Sequence, residues 1–132
     1  MRLSSCLALL CLSLTALPET VAGDPAGGDP VRGEAVYDRC LACHSLTRNR
    51  TGPKHCGLLG RTAGSVSGFA YSPAMRQSGI VWDAEALDAF LTDPLAVVPE
   101  TTMGYDGVKD ARERADLIAY LARATLASAL CR

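Results

Sequence analysis

Lysine is nearly missing from this sequence: Lys54 and Lys109 are the only two, and arginine supplies the other eleven cations. With a formal net charge of −1 at pH 7, the chain lacks the strongly basic surface of a nucleic-acid binder, and that class is excluded. Histidine is as rare, with only His44 and His55. No long hydrophobic run is present either. The longest apolar stretch, Leu3 to Leu17, is interrupted by Ser4, Ser5, Ser13 and Thr15 and falls short of the about 20 residues that a spanning helix needs. Its features are those of an export signal: Met1-Arg2 gives a short positive end, Pro18 breaks the apolar run, and Thr20 to Gly23 supplies small residues for cleavage. We expect a signal peptide over 1–23 and one mature domain over 24–132, rather than a retained membrane anchor. A chain this small buries limited apolar surface by itself.

What is there centres on Cys40-Leu41-Ala42-Cys43-His44. Two thiols spaced by two residues with a histidine immediately after is the spacing of covalent haem attachment, each sulfur adding to a vinyl group while the imidazole reaches the iron. A zinc site would need four ligands, and no second Cys/His pair stands at a suitable spacing, since His55 and Cys56 are neighbours. A redox dithiol would sit in a βαβ pattern, of which there is no sign. Haem would also supply much of the missing core. For the opposite axial position the chain offers three methionines: Met1 is the initiator, Met75 falls in a short helix-like segment, and Met103 lies in the loop Pro99-Glu100-Thr101-Thr102-Met103-Gly104. A thioether there favours the reduced metal.

Beyond the motif, the runs Thr51-Gly52-Pro53, Gly57 to Arg61, Gly68 to Ser72, Gly79 to Trp82, Pro99 to Met103 and Arg114 to Leu121 follow in order. From about Asp29 to Thr125 the sequence resembles a class I cytochrome c, of the mitochondrial kind and its periplasmic bacterial counterparts. The resemblance implies an all-α fold in which the N- and C-terminal helices cross, with Gly33 and Tyr37 meeting Leu117 and Tyr120 around a covalently bound haem c. It implies that His44 and Met103 are the axial iron ligands and that Cys40 and Cys43 carry the haem. The Pro53 carbonyl would accept the proton on the far nitrogen of His44, a contact that fixes the ring and raises its basicity. Arg61 would pair with a haem propionate, since a buried carboxylate needs a cation or several donors. Tyr71 and Trp82 would each offer one donor to the inner propionate, and Thr101 would join the cofactor contacts.

Two departures from the mitochondrial pattern remove polar groups from the methionine side. Phe90 stands where a tyrosine is usual and Met75 where an asparagine is usual. Leu95, Ala96 and Thr102 occupy positions of a lysine ring used in docking, leaving Arg39, Arg48, Arg50 and Arg76 as candidate docking cations.

The function implied is that of a soluble periplasmic one-electron carrier, not an enzyme. It would act as a monomer, docking transiently on membrane or periplasmic redox proteins such as a cytochrome bc-type complex, a terminal oxidase, a reaction centre or a dehydrogenase. The alternatives are a haem acceptor dedicated to one dehydrogenase and a haem-based ligand sensor.

The remaining pattern places helices. Asp29-Pro30, Ser72-Pro73 and Asp83 read as helix starts, with Gly79 stopping the second helix and Pro94 ending the third. Val31, Ala35, Val36, Tyr37 and Cys40 give the first helix an apolar stripe; Leu117, Tyr120, Leu121 and Ala124 give one to the last. Asp110 and Glu113 have the spacing of a capping box. Gly33, inside a helix, costs about 1 kcal/mol against alanine, so a close helix neighbour is expected there. Cys56 and Cys131 form an even pair that suggests a disulfide, with two free thiols equally open. His55 reads as a surface histidine with a minor part as a substitute for Met103.

Overall fold

Asp29 opens the first helix as the Asp-Pro pair predicts: its carboxylate accepts the Val31 N–H at 2.8 Å, and Pro30 takes the first helical position, where no N–H is needed. A computed structural model describes residues 27–126 and 131; the expected signal segment, 1–23, lies outside the described residues. The helices are α1 (Pro30–Tyr37), α2 (Pro73–Gln77), α3 (Ala84–Thr92), α4 (Pro94–Val97) and α5 (Ala111–Leu126), with a 3-10 turn at Asp38–Cys40 continuing α1. Among the described residues the only β-type pairing is an isolated antiparallel bridge between Thr62 and Val81. The fold is all-α, and no described helix is long and apolar enough to cross a membrane.

Helices α1 and α5 cross at Gly33, and the contact is backbone against backbone. A Cβ placed on Gly33 would sit 1.9 Å from the Asp116 carbonyl oxygen and 2.8 Å from the Tyr120 Cβ. Only glycine permits that approach. Around it, Tyr37 and Tyr120 pack with ring centroids 5.1 Å apart, and Leu117 is completely buried. Polar contacts frame the crossing. Asp116 accepts the Asp29 N–H at 2.6 Å and two Arg32 N–H groups at 2.7 and 2.8 Å. Arg39 makes a two-pronged pair with Glu113 at 2.5 and 2.7 Å; solvent screening leaves exposed pairs of this kind with little net effect on stability.

Three sequence expectations need correction. Val31 is 68% exposed and Ala35 is exposed too; the buried face of α1 is Gly33, Val36 and Tyr37. Val36, Tyr37 and the partly buried Cys40 keep the expected stripe, and Gly33 takes the place expected of Val31 and Ala35. Pro94 does end α3, yet it also opens α4, with the Asp93 carboxylate accepting the Ala96 N–H at 3.1 Å. In the expected capping box, Asp110 accepts the Glu113 N–H at 2.8 Å, but the Glu113 carboxylate is turned to Arg39.

Farther along α5, Arg114 is buried and bonded to Asp88 at 2.8 Å and to the carbonyls of Val108 and Lys109 at 3.0 Å each. It locks α5 to α3 and to the strand-like segment that follows the Met103 loop.

Candidate functional site

The 3-10 turn tightens the chain just where the motif begins. The N–H groups of Cys43 and His44 both return to the Cys40 carbonyl, at 3.1 and 2.8 Å, so the two sulfurs and the imidazole leave one short turn. Cys40 is partly buried, Cys43 is exposed, and neither is in a disulfide. Burial pushes the Cys40 thiol up to about 11. His44 is fixed through its inner edge: Nδ1 lies 2.8 Å from the Pro53 carbonyl. That bond makes Nδ1 the protonated nitrogen and leaves Nε2 with a free lone pair for a metal. Gly52 is part of the same device, for a Cβ there would stand 2.4 to 2.7 Å from three atoms of the His44 ring. Desolvation lowers the His44 pKa and the Pro53 bond opposes it.

His55 is not a surface histidine. Its ring stacks on that of His44 with centroids 4.3 Å apart and planes 23° from parallel, and its Nδ1 is 3.0 Å from the Tyr37 hydroxyl. Burial, assisted by His44 and Arg61, drives its pKa down to about 3, so the ring is neutral. The next residue, Cys56, is joined to Cys131 in a disulfide with 5.3 Å between the Cα atoms, which resolves the pairing the sequence left open. This bond and the Gly57 N–H to Thr125 carbonyl contact at 3.2 Å hold the loop against the end of α5.

Met103 is partly buried and packs on the same core cluster as Cys40, Tyr71 and Trp82. Its loop is anchored by Val98, 2% exposed, and by bonds from the Thr101 N–H to the Val98 carbonyl at 3.0 Å and from the Met103 N–H to Thr101 Oγ1 at 3.3 Å. Met75 is buried within α2, a helical core position and not a loop. The methionine loop contains the one described non-glycine residue with positive φ, Glu100 at 67°. A side chain in this region costs about 1–2 kcal/mol. Glu100→Gly should therefore stabilise the protein by about 0.5–1 kcal/mol, the remainder being offset by glycine's greater freedom when unfolded. Denaturant midpoints would show it; an unchanged or lower midpoint for the variant contradicts the strain.

Arg61 and Trp82 are joined through their backbones, the Trp82 N–H donating to the Arg61 carbonyl at 3.0 Å. The Arg61 guanidinium donates to the carbonyls of Cys56 at 2.8 Å and Lys54 at 3.1 Å, and lies close enough to Tyr71 for each to perturb the other's ionisation. Three of its five N–H donors are left for an anion. Trp82 is buried against Phe90, rings 5.0 Å apart, and Tyr71 packs edge-on to Phe69 at 4.7 Å.

These residues fit haem c on chemistry visible in the structure. Two thiols outside any disulfide leave the same turn as an imidazole whose only open nitrogen is Nε2, and the Met103 thioether packs on the same core cluster as Cys40. Among the described residues no group of three or more His, Cys, Asp or Glu could hold a metal in its place.

No protein-family model matches the chain. Individual proteins do. Cytochrome c2 of Blastochloris viridis is 45% identical over 89 residues, 65% of this chain and 70% of that one. Cytochrome c 2.1 of Caenorhabditis elegans is 48% identical over 85 residues, 63% of this chain and 77% of the other. Among solved structures, cytochrome cH from Methylobacterium extorquens superposes with a TM-score of 0.71 at 40% identity, covering 72% of this chain and 98% of its own. Taken with the helix crossing and the turn that bears Cys40, Cys43 and His44, these similarities show that the chain belongs to the class I cytochromes c, electron-transfer proteins with covalently bound haem c.

Proposed function

We propose that residues 24–132 form a periplasmic, monomeric one-electron carrier exported by the segment 1–23, with His44 and Met103 as axial ligands and Cys40 and Cys43 as the attachment residues. The observation that carries this reading is the bond from His44 Nδ1 to the Pro53 carbonyl at 2.8 Å, which aims Nε2 alone at a metal beside the two thiols. Haem c supplies a single-electron couple at its iron. The chain's part would be to hold the group between His44 and Met103 and exclude water. His44 is held on its far edge by Pro53. Met103 is presented by a loop whose turn is pinned at Val98 and Thr101. Arg61, Tyr71 and Trp82 would supply donors for the propionates. With His44 and Met103 both engaged there would be no place for a substrate, and the group would serve to pass an electron near Cys40, Cys43 and the methionine loop to a redox partner in the membrane or the periplasm.

The test is a visible spectrum of the purified protein in both redox states, with and without carbon monoxide. The parent should show a low-spin spectrum with an iron(III)–sulfur charge-transfer band and no response to the gas. Met103→Ala should lose the band and bind carbon monoxide. A variant that keeps the band reassigns the ligand, to Met75; a parent that binds the gas is a ligand sensor.

Docking should depend little on salt. Leu95 is 53% exposed and Leu41 42% exposed on the face around the motif and the methionine loop, and Arg39 is already paired with Glu113. Electron-transfer rates with a partner should change severalfold at most as ionic strength rises to physiological values, where a cation-ringed surface would show a steep decline. Stopped-flow kinetics against salt concentration would reveal a steep decline if it exists.

A further inference from the structure

His55 has more fixed contacts than a loop histidine without a task would have. Its ring lies on His44 at 4.3 Å, and its Nδ1 meets the Tyr37 hydroxyl at 3.0 Å. Its own N–H is shared between the carbonyls of Ser45 and Leu46, at 3.1 Å each. Tyr37, in turn, is 2% exposed and wedged against Tyr120 at the helix crossing. The position of the His55 ring is thus set by the rigid α1–α5 contact.

The geometry of the neighbouring imidazole explains what such a ring can do. His44 is anchored in its plane by the Pro53 carbonyl at Nδ1, and with iron bound it would gain a second in-plane anchor at Nε2. The Pro53 bond, which lies off the iron–nitrogen direction, holds one edge of the ring, but the angular tolerance of a hydrogen bond leaves a residual rotation of the plane about that direction. A flat group pressed on the face does resist it. A branched aliphatic residue in the same space would exclude water equally well but would impose no plane.

We propose that His55 is a positioning residue: its ring, oriented by the Tyr37 hydroxyl, sets the rotation of the His44 imidazole plane about the iron–nitrogen axis. The inference rests on His44 being the iron ligand. The angle of that plane selects which iron orbital overlaps the imidazole π system, and so fixes the magnetic axes of the ferric state. Reduction potential follows from the same overlap.

The test uses the holoprotein and three variants, His55→Leu, His55→Phe and Tyr37→Phe. The readings are the ferric g values, the spacing of the four haem methyl proton resonances, and the reduction potential. His55→Leu should change the g values and reorder or respace the methyl resonances while the low-spin spectrum persists. His55→Phe, which keeps a flat ring on His44, should return most of the parent pattern. Tyr37→Phe keeps the ring but frees it, and should displace the pattern in the same direction as His55→Leu by a smaller amount. A parent pattern in a folded His55→Leu protein overturns the proposal, and so does an equal displacement in His55→Leu and His55→Phe. Should the leucine variant fail to fold, an unchanged pattern in Tyr37→Phe overturns it alone. A parent protein without the low-spin histidine–methionine signature removes the ligand assignment itself, whereas a parent with that signature and silent variants removes only the role of His55.

Discussion

Gly33→Ala is expected to destabilise the protein by about 3 kcal/mol or more, although alanine is the better helix former by about 1 kcal/mol. The added carbon would lie 1.9 Å from the carbonyl oxygen of Asp116, and no side-chain rotation can relieve a clash with backbone. To admit it, α1 and α5 would have to separate. That separation would stretch the Asp116 bonds to Asp29 and Arg32 and open the Tyr37–Tyr120 contact, so its cost is spread over the whole crossing. Denaturant unfolding of the haem-loaded protein measures it. A loss below about 1 kcal/mol would mean that the helices slide apart at little cost, and the crossing would not be the rigid frame described here.

The second large effect is expected from the disulfide. Replacing Cys56 and Cys131 together by serine should cost about 2–4 kcal/mol, toward the upper end because the closed loop is long, its ends separated by 75 positions. Neither sulfur lies in the attachment motif, so the spectrum should keep its low-spin form while the unfolding midpoint falls. Mass spectrometry of unreduced, alkylated parent protein provides the companion measurement: no label should enter at either position. An unchanged midpoint in the double variant would mean that the bond restrains little that the packing of Thr125, whose hydroxyl bonds the Leu121 carbonyl at 2.7 Å, does not already hold.

How much of this was legible in the sequence depends on how local the governing chemistry is. Helix starts were readable because a cap is made within three residues: Asp29, Ser72 and Asp83 each accept an N–H of the first turn of the helix they open. The haem motif was readable because attachment chemistry fixes its spacing. The helix crossing was readable at Gly33, where a residue that weakens a helix has to be compensated by a neighbour. What failed was decided at a distance. The buried side of α1 is centred on Gly33, so Val36 and Tyr37 of the expected stripe are buried while Val31 and Ala35 face out. Pro94 ends α3 as expected, and only its second role, opening α4, went unread because it depends on Asp93, whose own backbone is extended. His55 was read as solvent-facing since nothing near it in the chain marks burial; its partner is Tyr37, 18 positions earlier. A tyrosine on the buried face of α1, needing a partner for its hydroxyl, was the available clue.

The cysteines impose a sorting problem during biogenesis. On the proposed assignment Cys40 and Cys43 have to remain as thiols to add across the vinyl groups, while Cys56 and Cys131 lose theirs to one another. Oxidation that arrives early can join Cys40 to Cys43, or trap Cys43, the exposed member, with Cys56, and either product refuses the cofactor. Thiol–disulfide exchange can repair such errors only while an attacking thiolate has access. The yield of coloured protein in a foreign host should therefore follow the supply of reductant and isomerase as closely as the supply of haem.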